Sequence, residues 1–452
     1  MGQRRAGIAA TPRDLAGIGV VVTHSADADE YLTTHGNPPG ATVLLAGAGG
    51  PTPEGALTLP ATPSSSAAAE DRTTTPELID RSGTRYELTD PRWRGDDRSP
   101  LMITPLPGIT ADRIVTGERS LWRYQAALPI TPGARVSLGE GWTPLIESEW
   151  SGHSVHFKLE WFNPTSSFKD RGVSVMVSHL RDTGAERLLE DSSGNGGSAV
   201  AAYAAAAGIP AKIIVPAATS EAKVLQARAF GAEIERVPGT RDEVAAEAVR
   251  QSADIPYASH NWHPMFLQGT KTLAYELWEM LGFRAPDNVV LVAGAGSIVL
   301  GCDLAFTELL AAGQIGHRPR LLVGQPEHWA TIVDTLNGID PESRGERLPT
   351  IAEGASIARP VRLPETVAAI TRSGGAGYAV PEREITEAQR RLVAQGLYAE
   401  PTSAVAAAAL EHFIADGTIR PGQTTVVVLT GSGLKSAERM SAIFDGTSAD
   451  PS

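Results

Sequence analysis

The feature that most constrains this chain is an alternation, from about Val136 onward, of short unbroken apolar runs with helix-length segments. Ala211–Pro216 (AKIIVP), Asn288–Ala293 (NVVLVA), Arg320–Gly324 (RLLVG) and Thr424–Leu429 (TTVVVL) are dominated by β-branched and aliphatic side chains. Such runs suit strands buried on both faces. Between them, Ser198–Ala207 stops at Gly208, and Ser220 stands as a cap before EAKVLQARAF, which stops at Gly231. Val173, Met176, Val177 and Leu180 follow the i, i+3, i+4, i+7 spacing of one apolar helix face. Strands alternating with helices in this way predict an α/β fold with mostly parallel sheets. Ligands in such folds bind at the carboxyl ends of strands, so the loops there carry the chemistry.

Composition narrows the function. The chain has 452 residues, enough for two or three domains, and a formal net charge of −13. That charge argues against nucleic acid or an anionic membrane surface as partner, though a few local donors can still hold a small anion. No apolar run approaches the roughly eighteen residues of a membrane span. Arg4 and Arg5 are not followed by the apolar stretch of a signal peptide, so a cytoplasmic location is expected. The single cysteine, Cys302, sits in an apolar helical context and reads as a buried structural residue. The first hundred residues differ from the rest. Gly19–Thr23 and Thr42–Ala46 each have the makings of a short strand, and residues 47–78, rich in Gly, Pro, Ala, Ser and Thr, read as a linker or long irregular segment.

Four loops at or beside strand-to-helix junctions stand out. The first, Asn163-Pro-Thr-Ser-Ser-Phe-Lys169-Asp-Arg-Gly172, puts a lysine at a helix start, where the macrodipole favours anions. Alone, Lys169 is either an exposed lysine beside a cap or a Schiff-base lysine whose amine is made less basic by burial and positive potential. The second, Asp191-Ser-Ser-Gly194-Asn195-Gly196-Gly197-Ser198, has the small residues that allow close backbone approach, ahead of a helix N-terminus able to receive a carboxylate. The third, Ala293-Gly294-Ala295-Gly296-Ser297, is a phosphate cradle by the same physics. Val299 breaks the GxGxxG fingerprint there, which disfavours a nicotinamide cofactor. The fourth, Leu429-Thr430-Gly431-Ser432-Gly433-Leu434-Lys435, follows the last strand and offers hydroxyls to a ligand heteroatom.

Together, and in this order, these loops resemble those of threonine synthase and its pyridoxal-phosphate (PLP) dependent relatives. The resemblance runs from about Ser120 to Lys435 and takes in Leu121-Trp-Arg-Tyr124, Glu140-Gly-Trp-Thr-Pro-Leu145, NPTSSFKDRG, SSGNGG, GTKTLAYE (Gly269–Glu276), EGASIARPVR (Glu353–Arg362), EPTSA (Glu400–Ala404) and TGSGLK. It implies the fold of tryptophan synthase β, PLP fold type II: two doubly wound α/β domains with the cofactor between them. Residues 111–170 and 263–445 would form the large PLP-binding domain and 171–262 the smaller mobile one, with residues 1–110 an irregular extension and 446–452 a tail. The cofactor implied is pyridoxal 5′-phosphate. Lys169 would form the Schiff base and shuttle protons, and Asn195 would bond the phenolic oxygen. Gly294, Ala295, Gly296 and Ser297 would hold the phosphate, and Thr430, with Ser432 as a second candidate, would face the pyridine nitrogen. Amides around Ser193, Gly194, Gly196, Gly197 and Ser198 would bind the substrate α-carboxylate. A neutral hydroxyl opposite the pyridine favours proton abstraction and loss of a β or γ group over transamination. Relatives of this kind are commonly homodimers.

The resemblance thins in three places. Gly196 stands where threonine synthases usually carry Thr. The run Ser259-His-Asn-Trp-His-Pro-Met-Phe266 replaces an SxNPxR-like segment that grips the substrate phosphate, with Phe266 at the Arg position. His260, Asn261 and His263 are the polar residues left there to meet a substrate. Leu78–Ile103 looks like a small zinc ribbon stripped of its cysteines, so no metal is expected. Three readings follow: a threonine synthase acting on O-phosphohomoserine; a related enzyme eliminating or replacing a β or γ substituent of another amino acid, serine/threonine dehydratase-like or serving specialised metabolism; and a PLP-binding protein without turnover.

Overall fold

The computed structural model describes residues 75–445 apart from 131, 132 and 134, together with the backbone of two strands further upstream. Those two, β1 (Val20–His24) and β2 (Thr42–Ala46), pair in parallel within a unit spanning Met1–Arg72. Most of the Gly/Pro-rich 47–78 segment and the tail lie outside the described residues.

The second unit, from Thr73 onward, opens with the cysteine-free ribbon-like segment. It forms a three-stranded antiparallel sheet of β3 (Glu77–Ile79), β4 (Arg85–Glu87) and β5 (Met102–Ile103), so the end of the expected linker is strand. A hydrogen-bonded knot organises its first turn: the Asp80 carboxylate accepts from Ser82 Oγ at 2.7 Å, the Thr84 amide at 2.9 Å and the Tyr86 hydroxyl at 2.6 Å. Leu78, Leu101 and Ile103 are buried, and Trp93 packs edge-on against Tyr257 and Trp262.

Next come β6 (Leu145–Trp150) and β7 (His153–Leu159), an antiparallel hairpin turning at Ser151-Gly152, where both residues have positive φ. The helix α1 (Lys169–Asp182) follows, its Val173, Met176, Val177 and Leu180 face buried as the spacing predicts. A small parallel sheet then alternates with helices: β8 (Leu188–Glu190), α2 (Asn195–Ala207), β9 (Ala211–Pro216), α3 (Glu221–Ala229), β10 (Glu233–Val237) and α4 (Arg241–Gln251), in strand order β10-β9-β8. Gly208, at φ +71°, closes α2 as a left-handed cap. Ser220 precedes α3, but its hydroxyl receives no N–H, so the cap there is positional only.

Two short helices, α5 (Pro264–Thr270) and α6 (Thr272–Met280), lead back to the large sheet. There the chain runs β11 (Asn288–Val292), α7 (Ser297–Ala311), β12 (Arg320–Pro326), α8 (Thr331–Leu336), α9 (Leu363–Arg372), β13 (Ala376–Val380), α10 (Glu382–Ala394), α11 (Pro401–Ala415), β14 (Thr425–Leu429) and α12 (Ala437–Asp445). The sheet order is β13-β12-β11-β14-β7-β6, parallel except for β6, with Val290 opposite both Leu322 and Val427. After β11 the chain winds outward through β12 and β13, then returns to lay β14 on the other side of β11. That reversal makes the carboxyl ends of β11 and β14 a topological switch point, where a ligand crevice is expected.

Candidate active site

The glycine-rich loop after β11 is built to receive an anion. A Cβ on Gly294 would stand 2.9 Å from the Gly354 carbonyl oxygen, and one on Gly296 2.2 Å from Thr366 Oγ1. Gly296 also sits at φ +90° as the N-cap of α7, a conformation that a side chain would strain. From Gly294 to Val299 the backbone N–H groups have no acceptor among the described residues, and only at Leu300 does the ladder begin, on the Gly296 carbonyl at 3.0 Å. Successive free amides at a helix N-terminus form a phosphate cradle.

The loop after β8 repeats the device. Gly197 is obligatory, since a Cβ there would lie 1.9 Å from the Ser192 carbonyl oxygen. Gly194 N–H donates to Ser192 Oγ at 3.3 Å and Ser198 N–H to the Gly194 carbonyl at 3.1 Å. The amides of Ser193, Asn195, Gly196 and Gly197 keep no acceptor among the described residues, so four of this segment's N–H groups are available to a ligand and the Ser198 amide is not.

Lys169 opens α1 between these loops. Its segment is stitched to the turn after β14: Phe168 N–H donates to the Thr430 carbonyl at 3.0 Å, and Ser432 N–H to the Ser166 carbonyl at 3.2 Å. The Lys169 amine has no hydrogen-bond acceptor among the described residues; it lies 4.8 Å from the Phe168 ring centroid and 5.5 Å from that of Phe266. Burial lowers its pKa to about 8, aided by Arg241 and opposed by Glu190 and Glu400.

Thr430 and Asn195 meet at a residue that the loop-by-loop reading passed over. Glu400, the first residue of EPTSA, accepts from Asn195 Nδ2 at 2.9 Å and from Thr430 Oγ1 at 2.8 Å. Thr430 N–H also donates to Ser403 Oγ at 2.8 Å. Glu400 is 5% exposed, and a Cβ on Gly431 would lie 2.6 Å from its carboxylate. The sequence signal was an acid immediately before a helix-starting proline, with no pattern to say what it faces. Ser432 Oγ accepts Leu434 N–H at 3.2 Å and so caps its own turn, which leaves Thr430 as the hydroxyl of this cluster.

The Ser259–Phe266 run divides sharply. His260 is pressed against Gly196, whose missing Cβ would stand 2.6 Å from His260 Nδ1. The Asn261 backbone carbonyl accepts from Arg362 Nε at 3.2 Å, and its side-chain Oδ1 is buried with no partner among the described residues. His263 has a structural role, as the N-cap of α5 accepting Met265 N–H on Nδ1 at 3.3 Å. Phe266 is fully buried over Gly172, whose Cβ would be 2.4 Å from the ring, so no cation stands at that place.

The family model described as pyridoxal-phosphate dependent enzyme matches residues 136–431. The chain belongs to that family. Among similar proteins, the threonine synthase of Methanocaldococcus jannaschii is 33% identical over 341 residues, 72% of this chain and 83% of the relative. The threonine synthase of Mycobacterium tuberculosis is 35% identical over 359 residues, 77% and 93% of the two chains. The fold is that of threonine deaminase isoform 2 from Solanum lycopersicum, at TM-score 0.57 and 21% identity over 74% of this chain and 90% of that one. It is equally that of maize serine racemase, at TM-score 0.56 and 20% identity over 67% and 92%. The chain is thus a threonine synthase-like PLP enzyme of the lyase kind with the fold type II architecture, and its cofactor is pyridoxal 5′-phosphate. The site fits that group: an amide cradle for a phosphate, a partnerless amine, and a polar cluster at Asn195, Glu400 and Thr430. No helix among the described residues is long and apolar enough to cross a membrane.

Proposed function

We propose that the protein converts O-phosphohomoserine and water to threonine and phosphate, as a PLP-dependent lyase of threonine synthase type. The observation that carries this reading is the placement of the Lys169 amine, less basic than an ordinary lysine, among the loops that end in two rows of free amides. Bound at this site, pyridoxal phosphate supplies an electron sink that acidifies the substrate's α-hydrogen. The amides of Gly294–Val299 would hold its phosphate, and those of Ser193, Asn195, Gly196 and Gly197 the substrate carboxylate. Lys169, once displaced by the substrate amine, would take the α-proton and return one later. The neutral Thr430 hydroxyl, tied to Glu400, would orient the cofactor ring from its other edge.

The test is phosphate release from O-phosphohomoserine by the cofactor-loaded protein, with amino-acid analysis of the product. Phosphate and threonine in equal amounts are expected. A second reading, β- or γ-elimination or replacement on another amino acid, is favoured by Phe266 and by the absence of a hydroxyl at Gly196. It takes over if the loaded protein releases no phosphate yet turns over serine, threonine or an activated homoserine ester.

A further inference from the structure

The meeting of Gly196 with His260 has a counterpart behind the ring. Glu190, fully buried at the end of β8, lies 2.9 Å from His260 Nδ1 through Oε1 and accepts the His260 backbone N–H through Oε2 at 3.2 Å. When ionised, the carboxylate there holds the proton on Nδ1 and leaves Nε2 as the lone-pair nitrogen; burial raises Glu190 to about 7, so this form prevails above that pH. Nε2 has no hydrogen-bond partner among the described residues, and the residue retains 8% exposure. The imidazole and Lys169 share a neighbour. Both border the Phe266 ring, the lysine amine at 5.5 Å and the His260 ring at 5.9 Å from its centroid. The imidazole also occupies the volume that any side chain at position 196 would need, with Cε1 at 2.8 Å from the absent Cβ. The arrangement is that of a base oriented by a third group, its Nδ1–Cε1 edge against the loop that carries the unpaired amides.

We propose that His260, oriented by Glu190, is the base that activates the water added to the substrate. This rests on the reading of the protein as a lyase that adds water after the phosphate has left. In that step the water proton passes to Nε2 and the oxygen lone pair forms the bond to the substrate β-carbon. The electron pair of the carbon–carbon double bond moves to the α-carbon, which receives a proton from the Lys169 ammonium. The imidazolium is stabilised by Glu190 and returns its proton to solvent. The charged groups around the imidazole are Glu190 at the end of β8, Asp191 just after it, Lys169 of α1 and Arg241 of α4. Burial, with Lys169 and Arg241, holds the imidazole well below its ordinary pKa, so the resting ring is neutral, as a base must be.

The test compares wild type with H260Q and E190Q, each loaded with cofactor and checked for its absorbance before substrate is added. General-base catalysis contributes about 10²–10⁴-fold. On O-phosphohomoserine, H260Q is expected to release phosphate within a few-fold of wild type while threonine formation falls by about 10²-fold or more, the intermediate draining to 2-oxobutyrate and ammonia. E190Q should shift the same product ratio less. An unchanged ratio of threonine to phosphate in H260Q overturns the proposal, and so does a parallel loss of both products with the cofactor still bound. Independently of turnover, ¹⁵N NMR of histidine-labelled holoprotein, with the His260 signals assigned by their loss in H260Q, should show Nδ1 protonated and Nε2 bare once the pH is above the Glu190 value of about 7. A protonated Nε2 overturns the proposal whatever the substrate. Wild-type protein that loads cofactor but releases no phosphate sinks the threonine synthase reading instead, and leaves the tautomer measurement to decide the role of His260 as a base.

Discussion

Lys169 shows how much one position owes to its surroundings. At a helix start a lysine meets an unfavourable dipole, and in water its amine would titrate near 10.4. Burial moves it to about 8, against the opposing pull of Glu190 and Glu400. The free amine therefore grows through the range around pH 8, about two pH units earlier than for a surface lysine. In cofactor-free protein, acylation of Lys169 followed by peptide mapping should be half-maximal near pH 8. A midpoint at the value of the exposed lysines would show that the amine is not desolvated. K169A should lose both turnover and the borohydride-reducible attachment of the cofactor. The lysine, Asn195 and the glycines were legible in sequence because their spacing is local. Glu400 and the Gly196–His260 exchange were not, since each joins segments dozens of residues apart or more.

At the scale of elements, α1 is anchored by charges that never meet water. Arg171, Glu160, Glu276 and Lys158 are all completely buried. Arg171 Nε donates to Glu160 at 2.7 Å and its Nη1 to Glu276 at 2.9 Å, while Lys158 on β7 also pairs with Glu276. Glu276 in turn accepts the Trp142 and Thr143 amides at 2.7 and 2.8 Å, so α6, β7, α1 and the EGWTPL segment converge on one carboxylate. Burial alone would raise the Glu276 pKa, but Arg171 and Lys158 outweigh it and hold it at about 2. Its folded value lies below the roughly 4.3 of an unfolded glutamate, so its stabilisation is present above that pH and is lost as pH falls toward 2. E276Q leaves two buried cations undercompensated and should cost about 3–5 kcal/mol in denaturant unfolding near pH 7. A cost below about 1 kcal/mol would mean that water or relaxation satisfies the network.

For the whole molecule, the division of the chain after Arg72 predicts where truncation is tolerated. Protein starting at Thr73 keeps every described residue of the sheets around the site. It should load cofactor and melt within about 4 °C of the full chain, the shift expected for roughly 1 kcal/mol. Protein starting at Thr110 loses Leu78, Leu101, Ile103, Leu106 and Ile109, all buried in the cores beneath α1 and α7, and with them the Trp93 contact on Tyr257 and Trp262. It should expose apolar surface and aggregate. Equal behaviour of the two truncations would show that the ribbon-like sheet is dispensable.

The alternation of apolar runs and glycine-stopped helices was sufficient by itself to determine the α/β class, because burial on both faces and helix termination are read from neighbours in the chain. Collinear loops carried the resemblance that implied the cofactor, and their small residues at helix starts marked the anion cradles by themselves. The tertiary structure decided what those loops face. It brought β14 back beside β11 to make the crevice, set Glu400 between Asn195 and Thr430, separated the structural cap His263 from His260, and filled the space over Gly196 with an imidazole. These are matters of volume and charge between distant segments, and periodicity along a chain carries no information about them.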